Sequence, residues 1–387
     1  MSRFYSYLGT AQKIIGNYAK GEPLHLHLRQ FFSKEKKYGS RDRKIIGDLC
    51  YSYYRCFHLF KQELSLEEKL IQSALLCGHD ASAVVKALRP EWETVVAQQL
   101  KDKLALLSFE DNLHFPFPFL LSNAIDERLF VQSLLVQPDL FLRLRPGKED
   151  QAMAKLQQAN LAFETLSRSS LRLPSGSKLD EHLKINKEAV VQDLSSQQVL
   201  DKAVALLPDR ERFSSWDVCA ASGGKSILLF DKLKGRLSIT VSDIRENILR
   251  NLLLRMGEAG INIHREFTAD VSKNVPLDAA ERFDIILCDV PCTGSGTWAR
   301  TPEQLYSFDE NDVGKMAQLQ AEIVKHAQPF LADDGLLVYI TCSVFELENE
   351  KNVEAICRMS GWHCLHMEYV KGFETAADTM FYALLKK

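Results

Sequence analysis

No Cys-X-X-Cys spacing occurs among the nine cysteines of this 387-residue sequence. The paired ligand spacing of a structural zinc site is therefore missing, and no metal is expected. An odd number of cysteines scattered without a framework also argues against a disulfide-stapled secreted domain and for a reduced, cytoplasmic protein. No apolar run approaches the roughly 20 residues that span a bilayer, and the opening MSRFYSYLGT lacks a long apolar stretch, so neither a membrane span nor a signal peptide is expected. Charge of one sign is scarce as well. Lys+Arg number 48 against 51 Asp+Glu, a net charge of −3, so attraction to a polyanion would have to come from a local cluster. Low-complexity tracts and long internal repeats are absent. What remains is an ordinary globular composition, 46% apolar and 26% charged, on a chain long enough for two or three domains.

Residues 1–125 read as an all-α domain. Segments 5–18 and 43–62 carry apolar residues at three- and four-residue spacing, the mark of amphipathic helices. Ser65 with Glu68 forms a capping-box pattern for a helix over 66–76. Asp80 is placed to cap 81–88, and Pro90 to open a helix over 91–107. Within this block lies the basic run 34–44 (KEKKYGSRDRK), with Arg55 beyond it and Tyr38, Tyr51, Tyr53 and Tyr54 nearby. It reads either as a solvated loop or as a phosphate- and base-binding surface suited to RNA. Cys50, Cys56 and Cys77 read as core residues.

Residues 113–135, with Pro116 and Pro118, read as a linker. A small α+β unit is expected over 126–190. Its strands would be 141–145, 163–166, 171–173 and 182–185, with a helix over 152–159. Arg143 and Arg145 share one face of the first strand, a weak sign of a nucleic-acid surface. From 191 to 387 strand and helix alternate. Strands are predicted at 216–219, 238–241, 265–268, 283–289 and 336–340, helices at 227–233, 245–258 and 313–331, and final strands at 362–367 and 380–385. This alternation predicts a doubly wound parallel sheet.

Three strand ends carry polar groups where such sheets bind ligands. The first is Asp217-Val218-Cys219-Ala220-Ala221-Ser222-Gly223-Gly224-Lys225-Ser226, a Gly-Gly turn opening a helix. It is not a nucleotide-triphosphate loop, because Cys219 stands where that pattern needs glycine. The second is Asp243, which either reaches a ribose hydroxyl or caps the next helix. The third is Asp270, placed to meet an adenine amino group. Beyond them, Cys292 follows the apolar strand 283–289 in Asp289-Val290-Pro291-Cys292-Thr293-Gly294-Ser295-Gly296, and Cys342 follows 335–340 in Thr341-Cys342-Ser343. Cys288 reads as structural. A lone cysteine is most often a small buried hydrophobe, but two thiols at corresponding strand ends suit covalent chemistry.

DVCAASGGKS, SDIRENILRNLLLRM, FTADV, DVPCTGSGTWARTPE and YITCSVFELENEKNV, in this order, resemble the motifs of RNA cytosine-C5 methyltransferases of the RsmB/Nop/Sun type. KYGSRDRKIIGDLCYSYYR resembles the NusB-like domain of RsmB-type members. The resemblance implies a Rossmann-like, seven-stranded class I methyltransferase domain over 191–387. An all-α NusB-like RNA-binding domain (1–125) and an RRM-like α+β unit (126–190) would precede it. It implies S-adenosylmethionine as cofactor, held by Cys219, Ala220, Ala221, Ser222, Gly223, Gly224, Lys225, Asp243, Asp270 and Asp289. By the same resemblance Cys342 is the nucleophile, Cys292 assists release of the methylated base and Asp289 faces the cytosine; the charge of Lys225 is expected to favour the thiolate. Ser222 stands where the family usually has proline. The substrate implied is RNA, with 16S ribosomal RNA foremost, and the expected partners include neither DNA nor a membrane; a monomer is expected. Two other readings are an RNA amino-group methyltransferase, which would need a polar-Pro-Pro-aromatic motif where Asp289-Val290-Pro291-Cys292 stands, and an RNA-binding ribosome-assembly factor with little or no catalysis.

Overall fold

The computed structural model describes residues 3–60 and 63–387, in two compact units. The first unit is helical. Helices Arg3–Gly16, Leu24–Lys34, Ser40–Cys56, Leu66–Cys77 and Ser82–Leu88 turn their apolar stripes onto one core that includes Leu8, Ile14, Leu28, Ile46, Leu49 and Ile71. Cys50, Cys56 and Cys77 are buried there, as expected. Ser65 caps its helix by accepting the Glu68 N–H at 3.2 Å. Asp80 caps nothing in the described structure, because the turn before Ser82–Leu88 is held by Asp48, which accepts the N–H groups of His79 and Ala81, both at 2.8 Å. The helix expected over 91–107 breaks into a turn at Pro90–Trp92 and helices Glu93–Val96 and Leu100–Leu106. The first of these helices ends at its C-cap, Ala97, and extended Gln99 separates the pieces. The helix expected over 43–62 ends at Cys56 in a short turn, Phe57–Leu59; its last two residues, Lys61 and Gln62, lie outside the described residues.

The first segment of this unit runs to Phe119, and Leu120–Ile125 belong to the second unit. The helical unit also takes Asp126–Gln137 and Thr297–Glu310. Glu127–Leu134 is a helix capped by Asp126, which accepts the Leu129 N–H at 2.9 Å. The third segment is fastened by long-range bonds. Glu303 accepts the Leu24 N–H at 3.0 Å, and Arg55, 2% exposed, donates to the Ala299 carbonyl at 2.9 Å. Trp298 stacks on Phe115 with centroids 6.1 Å apart. Arg55 is thus a buried structural cation rather than part of a phosphate surface, and Tyr54, 1% exposed, is a core ring rather than a stacking platform. The run 34–44 itself is largely exposed.

The second unit holds two sheets. Strands β1 (Leu140–Leu144), β2 (Glu164–Ser167), β3 (Ser170–Leu173) and β4 (Ala189–Val191) form an antiparallel sheet in the order β2-β3-β1-β4, with helix Glu149–Gln158 on its core. The strand expected at 182–185 is a turn. Asn186, at φ +67°, reverses the chain so that its N–H meets the Ala189 carbonyl at 2.7 Å, and the strand forms afterwards. Arg143 and Arg145 do share a face, but it is a buried one. Both pair with Asp231, Arg143 at 2.5 Å and Arg145 at 2.9 Å, on helix Gly224–Lys232. They tie the small sheet to the large one and form no nucleic-acid surface.

The large sheet comprises β5 (Phe213–Asp217), β6 (Leu237–Asp243), β7 (Arg265–Thr268), β8 (Phe283–Asp289), β9 (Leu331–Thr341), β10 (His363–Val370) and β11 (Met380–Lys386). Their order is β10-β11-β9-β8-β5-β6-β7. β5, β6, β7, β8 and β9 run parallel, while β11 is antiparallel to β9 and β10. The chain starts at β5 and builds outward in both directions, so the reversal lies between β5 and β8. Ligands of open α/β sheets bind beyond the carboxyl ends of the strands at such a point.

Candidate active site

The loop after β5 is shaped by two left-handed residues, Ala221 (φ +46°) and Gly223 (φ +78°). A side chain at Gly223 would bring Cβ to 3.0 Å from Leu252 Cγ, beside a strained φ, so this position needs glycine. The loop ends in helix Gly224–Lys232, whose free N–H groups face the sheet's carboxyl edge. Ser222 is exposed and anchored: Arg255 donates to its hydroxyl at 2.9 Å and to its carbonyl at 3.1 Å.

Three carboxylates mark the ends of β6, β7 and β8. Asp243 accepts the Ala221 N–H at 3.0 Å and grips Arg245 through its backbone N–H (2.9 Å) and its guanidinium (3.0 and 3.1 Å). Burial alone would raise its pKa, but these bonds outweigh burial and hold it below the usual carboxylate range. Helix Glu246–Glu258 carries no side-chain cap, so Asp243 is not its cap. Asp270 is held low by Lys273 and by Ser272, whose hydroxyl donates to it at 2.6 Å. Asp289 accepts from Lys225 Nζ at 2.6 Å. Burial would depress the Lys225 ammonium, but the charge and hydrogen bond of Asp289, then the sulfur of Cys342, hold it raised. Lys225 is therefore a fixed cation and not a base.

The thiols meet. Cys292 Sγ and Cys342 Sγ are 3.3 Å apart. The hydrogen bond to Cys342 chiefly, then burial, then the charges of Cys342 and Glu348, push the Cys292 thiol well above its ordinary pKa. Close backbone approach fixes their loops. Gly296 donates its N–H to the Cys342 carbonyl at 2.9 Å. A Cβ on Gly296 would lie 2.1 Å from the Thr379 carbonyl oxygen, so no other residue fits.

Cys219, Ala221, Asp243, Asp270, Asp289, Cys292 and Cys342 line one cavity of about 540 Å³, within the range of small-molecule sites. Ala220, Ser222, Gly223, Gly224 and Lys225 do not line it; they shape the loop, and Lys225 is bonded to Asp289. Unforeseen lining residues are Arg245, Ile244, Val271, Leu319 and Ile323. Cys288 is fully buried, as expected. Asp217 and Glu348 were legible as charges in apolar or motif context but were given no role.

Asp217 is 2% exposed. One carboxyl oxygen accepts from the Ser226 hydroxyl at 2.6 Å, and the other has no partner in the described structure. Burial raises its pKa to about 7. The folded state therefore binds a proton that the unfolded chain releases at ordinary carboxyl pH, and Asp217 erodes stability as pH climbs from about 4 to about 7. Asp217→Asn lacks that charge. Its unfolding free energy should match wild type near pH 4 and exceed it by a few kcal/mol at pH 8, read from urea unfolding at both pH values. An equal difference at both would refute the titration.

Residues 203–383 match the family model described as 16S rRNA methyltransferase RsmB/F. The "Probable ribosomal RNA small subunit methyltransferase B" of Bacillus subtilis (strain 168) is 31% identical over 225 residues, 57% of this chain and 49% of that protein. Ribosomal RNA small subunit methyltransferase B of Xylella fastidiosa (strain 9a5c) is 34% identical over 171 residues, 43% of this chain and 38% of that protein. The matches thus span half or less of the length of these curated relatives. Among solved structures, PH0851 superposes with a TM-score of 0.71 at 18% identity, covering 97% of this chain and 96% of that one. NSun6 from Pyrococcus horikoshii, with SFG, gives 0.58 at 16% identity, covering 67% of this chain and 94% of that one. At such identities the likeness is one of fold. Among the described residues no helix is long and apolar enough to cross a membrane, and no His/Cys/Asp/Glu group could hold a metal ion.

Proposed function

We propose, from the match of residues 203–383 to the family model described as 16S rRNA methyltransferase RsmB/F, that the protein belongs to that family and methylates carbon 5 of a cytosine in RNA through a covalent bond between Cys342 and carbon 6 of the base. The observation that carries this reading is the thiol pair, 3.3 Å apart on the rim of a cavity that also holds Asp289.

The residues present fit S-adenosylmethionine. Asp243 lies at the end of β6, where a carboxylate meets ribose hydroxyls. Ile244 and Val271 offer apolar walls and Asp270 an acceptor for an amino group, and the helix beginning at Gly224 presents N–H groups to a carboxylate. When bound, this cofactor supplies an electrophilic methyl group on a sulfonium.

Carbon 5 of cytosine is a poor nucleophile. Addition of the Cys342 thiolate at carbon 6 pushes electron density to carbon 5, which can then accept the methyl group. Lys225, fixed as a cation, favours the thiolate of Cys342 over the thiol. Asp289 is placed to hydrogen-bond the N3 and amino edge, where charge develops. The base must leave any helix to reach this rim. With Cys342 tied up as a thioether, Cys292 no longer faces an anionic sulfur. It can shed its proton to solvent and take the proton from carbon 5. The electron pair of that C–H bond re-forms the ring double bond and expels Cys342 as thiolate.

The relatives carry the name of small-subunit ribosomal RNA, which we take as the substrate class, with the helical unit as its contact. Bisulfite sequencing of ribosomal RNA from cells with and without the gene tests the whole reading. At least one small-subunit cytosine should resist conversion only when the gene is present; identical maps would overturn the proposal.

A further inference from the structure

Glu348 is fully buried, at the end of a short turn, Glu346–Glu348. Its carboxylate accepts four hydrogen bonds from three separate segments. Thr293 gives its backbone N–H at 2.9 Å and its hydroxyl at 2.5 Å, Ser343 gives its hydroxyl at 2.5 Å, and Gln320 gives its side-chain amide at 2.9 Å. Gln320 also donates to the Pro291 carbonyl at 3.0 Å. Thr293 directly follows Cys292, and Ser343 directly follows Cys342. One carboxylate thus bridges the two residues next to the two thiols.

All four donors are neutral. A buried carboxylate without a cation is expensive, and an apolar residue or an amide could pack here at lower electrostatic cost. The groups facing Cys292 explain what the charge does. Cys292 lies 3.3 Å from Cys342, and its neighbour Thr293 holds the Glu348 carboxylate by two bonds. Lys225, bonded to Asp289 at 2.6 Å, is held raised in part by Cys342. The charge of Glu348 on its side adds to the hydrogen bond of Cys342 and to burial in raising the Cys292 thiol.

We propose that Glu348 is a positioning residue that clamps the two thiol loops together and sets its negative charge on the Cys292 side of the pair. The inference rests on the proposed chemistry for its purpose, but its test does not need methyl transfer. In the full-length protein without RNA or cofactor, each thiol is labelled with iodoacetamide across pH 6 to 10 and counted by peptide mass spectrometry. Wild type should label Cys342 first. Glu348→Gln should move the Cys292 labelling midpoint down by about one pH unit or more and shrink the preference for Cys342 about tenfold. Ser343→Ala, which keeps the carboxylate and removes one bond, should leave the Cys292 midpoint in place. A Cys292 profile that is the same in wild type and Glu348→Gln overturns the charge assignment, as does an equal shift in both variants, which would report mere loosening.

Should Glu348→Gln not fold, the clamp is read in Ser343→Ala and Thr293→Val by the rate at which diamide closes a Cys292–Cys342 disulfide. The two thiols lose two electrons and two protons as diamide is reduced to its hydrazine. Both variants should close several-fold more slowly than wild type; unchanged rates in both would end the proposal. If ribosomal RNA carries no gene-dependent 5-methylcytosine, the functional reading falls while these thiol measurements still decide the role of Glu348.

Discussion

Cys342→Ala should lose methyl transfer by about 1000-fold or more and form no covalent complex with RNA. The magnitude follows from the chemistry asked of this sulfur. Without addition at carbon 6, carbon 5 lacks the electron density to attack a methyl group, and positioning alone cannot supply it. A thousandfold loss is about 4 kcal/mol of barrier, a modest demand for the removal of a nucleophile. Cys342 is partly exposed at a cavity rim, so the smaller side chain should leave stability nearly intact and the variant a fair test. Tritium transfer from labelled S-adenosylmethionine to RNA, with a denaturing gel for the adduct, checks both parts. Persistent methylation would move the nucleophile elsewhere.

Cys292→Ala should fail differently. Addition and methyl transfer need Cys342, Lys225 and Asp289, all unchanged, so a first turnover should still occur. The step that needs a base beside carbon 5 then stalls. A protein–RNA complex that survives denaturation should accumulate, and steady-state turnover should drop about 100-fold, the size of effect typical of a displaced general base. The double variant Cys292→Ala/Cys342→Ala should show no complex. Normal turnover by Cys292→Ala, without an accumulated complex, would show that the second thiol is not the releasing group.

Much of the α/β unit is legible in the sequence. Strands 265–268 and 283–289 have the expected bounds. Uninterrupted apolar runs signal strands covered on both faces, and polar residues at their ends stand out against such runs. The meeting of Cys292 and Cys342 followed from that logic. The Glu348 clamp did not. Its donors lie 55, 28 and 5 residues away, and an acid in the run Glu346–Glu350 looks like solvated charge until the fold buries it. Arg143 and Arg145 misled for the same reason. Alternation showed that they share a face, but which face is buried depends on Asp231, more than 80 residues on. The helix over 91–107 failed because its apolar spacing runs on through Gln99, where the backbone is extended.

The excursion of Thr297–Glu310 into the helical unit bears on how such a protein can be inherited and engineered. Four residues after Cys292 the chain leaves one unit for the other, and it returns at Asn311. No single cut in the gene separates the units. A fragment starting at Pro138 would carry Trp298, 1% exposed in the intact protein, without the Phe115 on which it stacks. A foreign helical unit joined by one crossover would arrive lacking the segment that completes it. Exchange of the helical half therefore requires matched changes at distant places in the gene, a barrier to recombination that would keep the two halves travelling together.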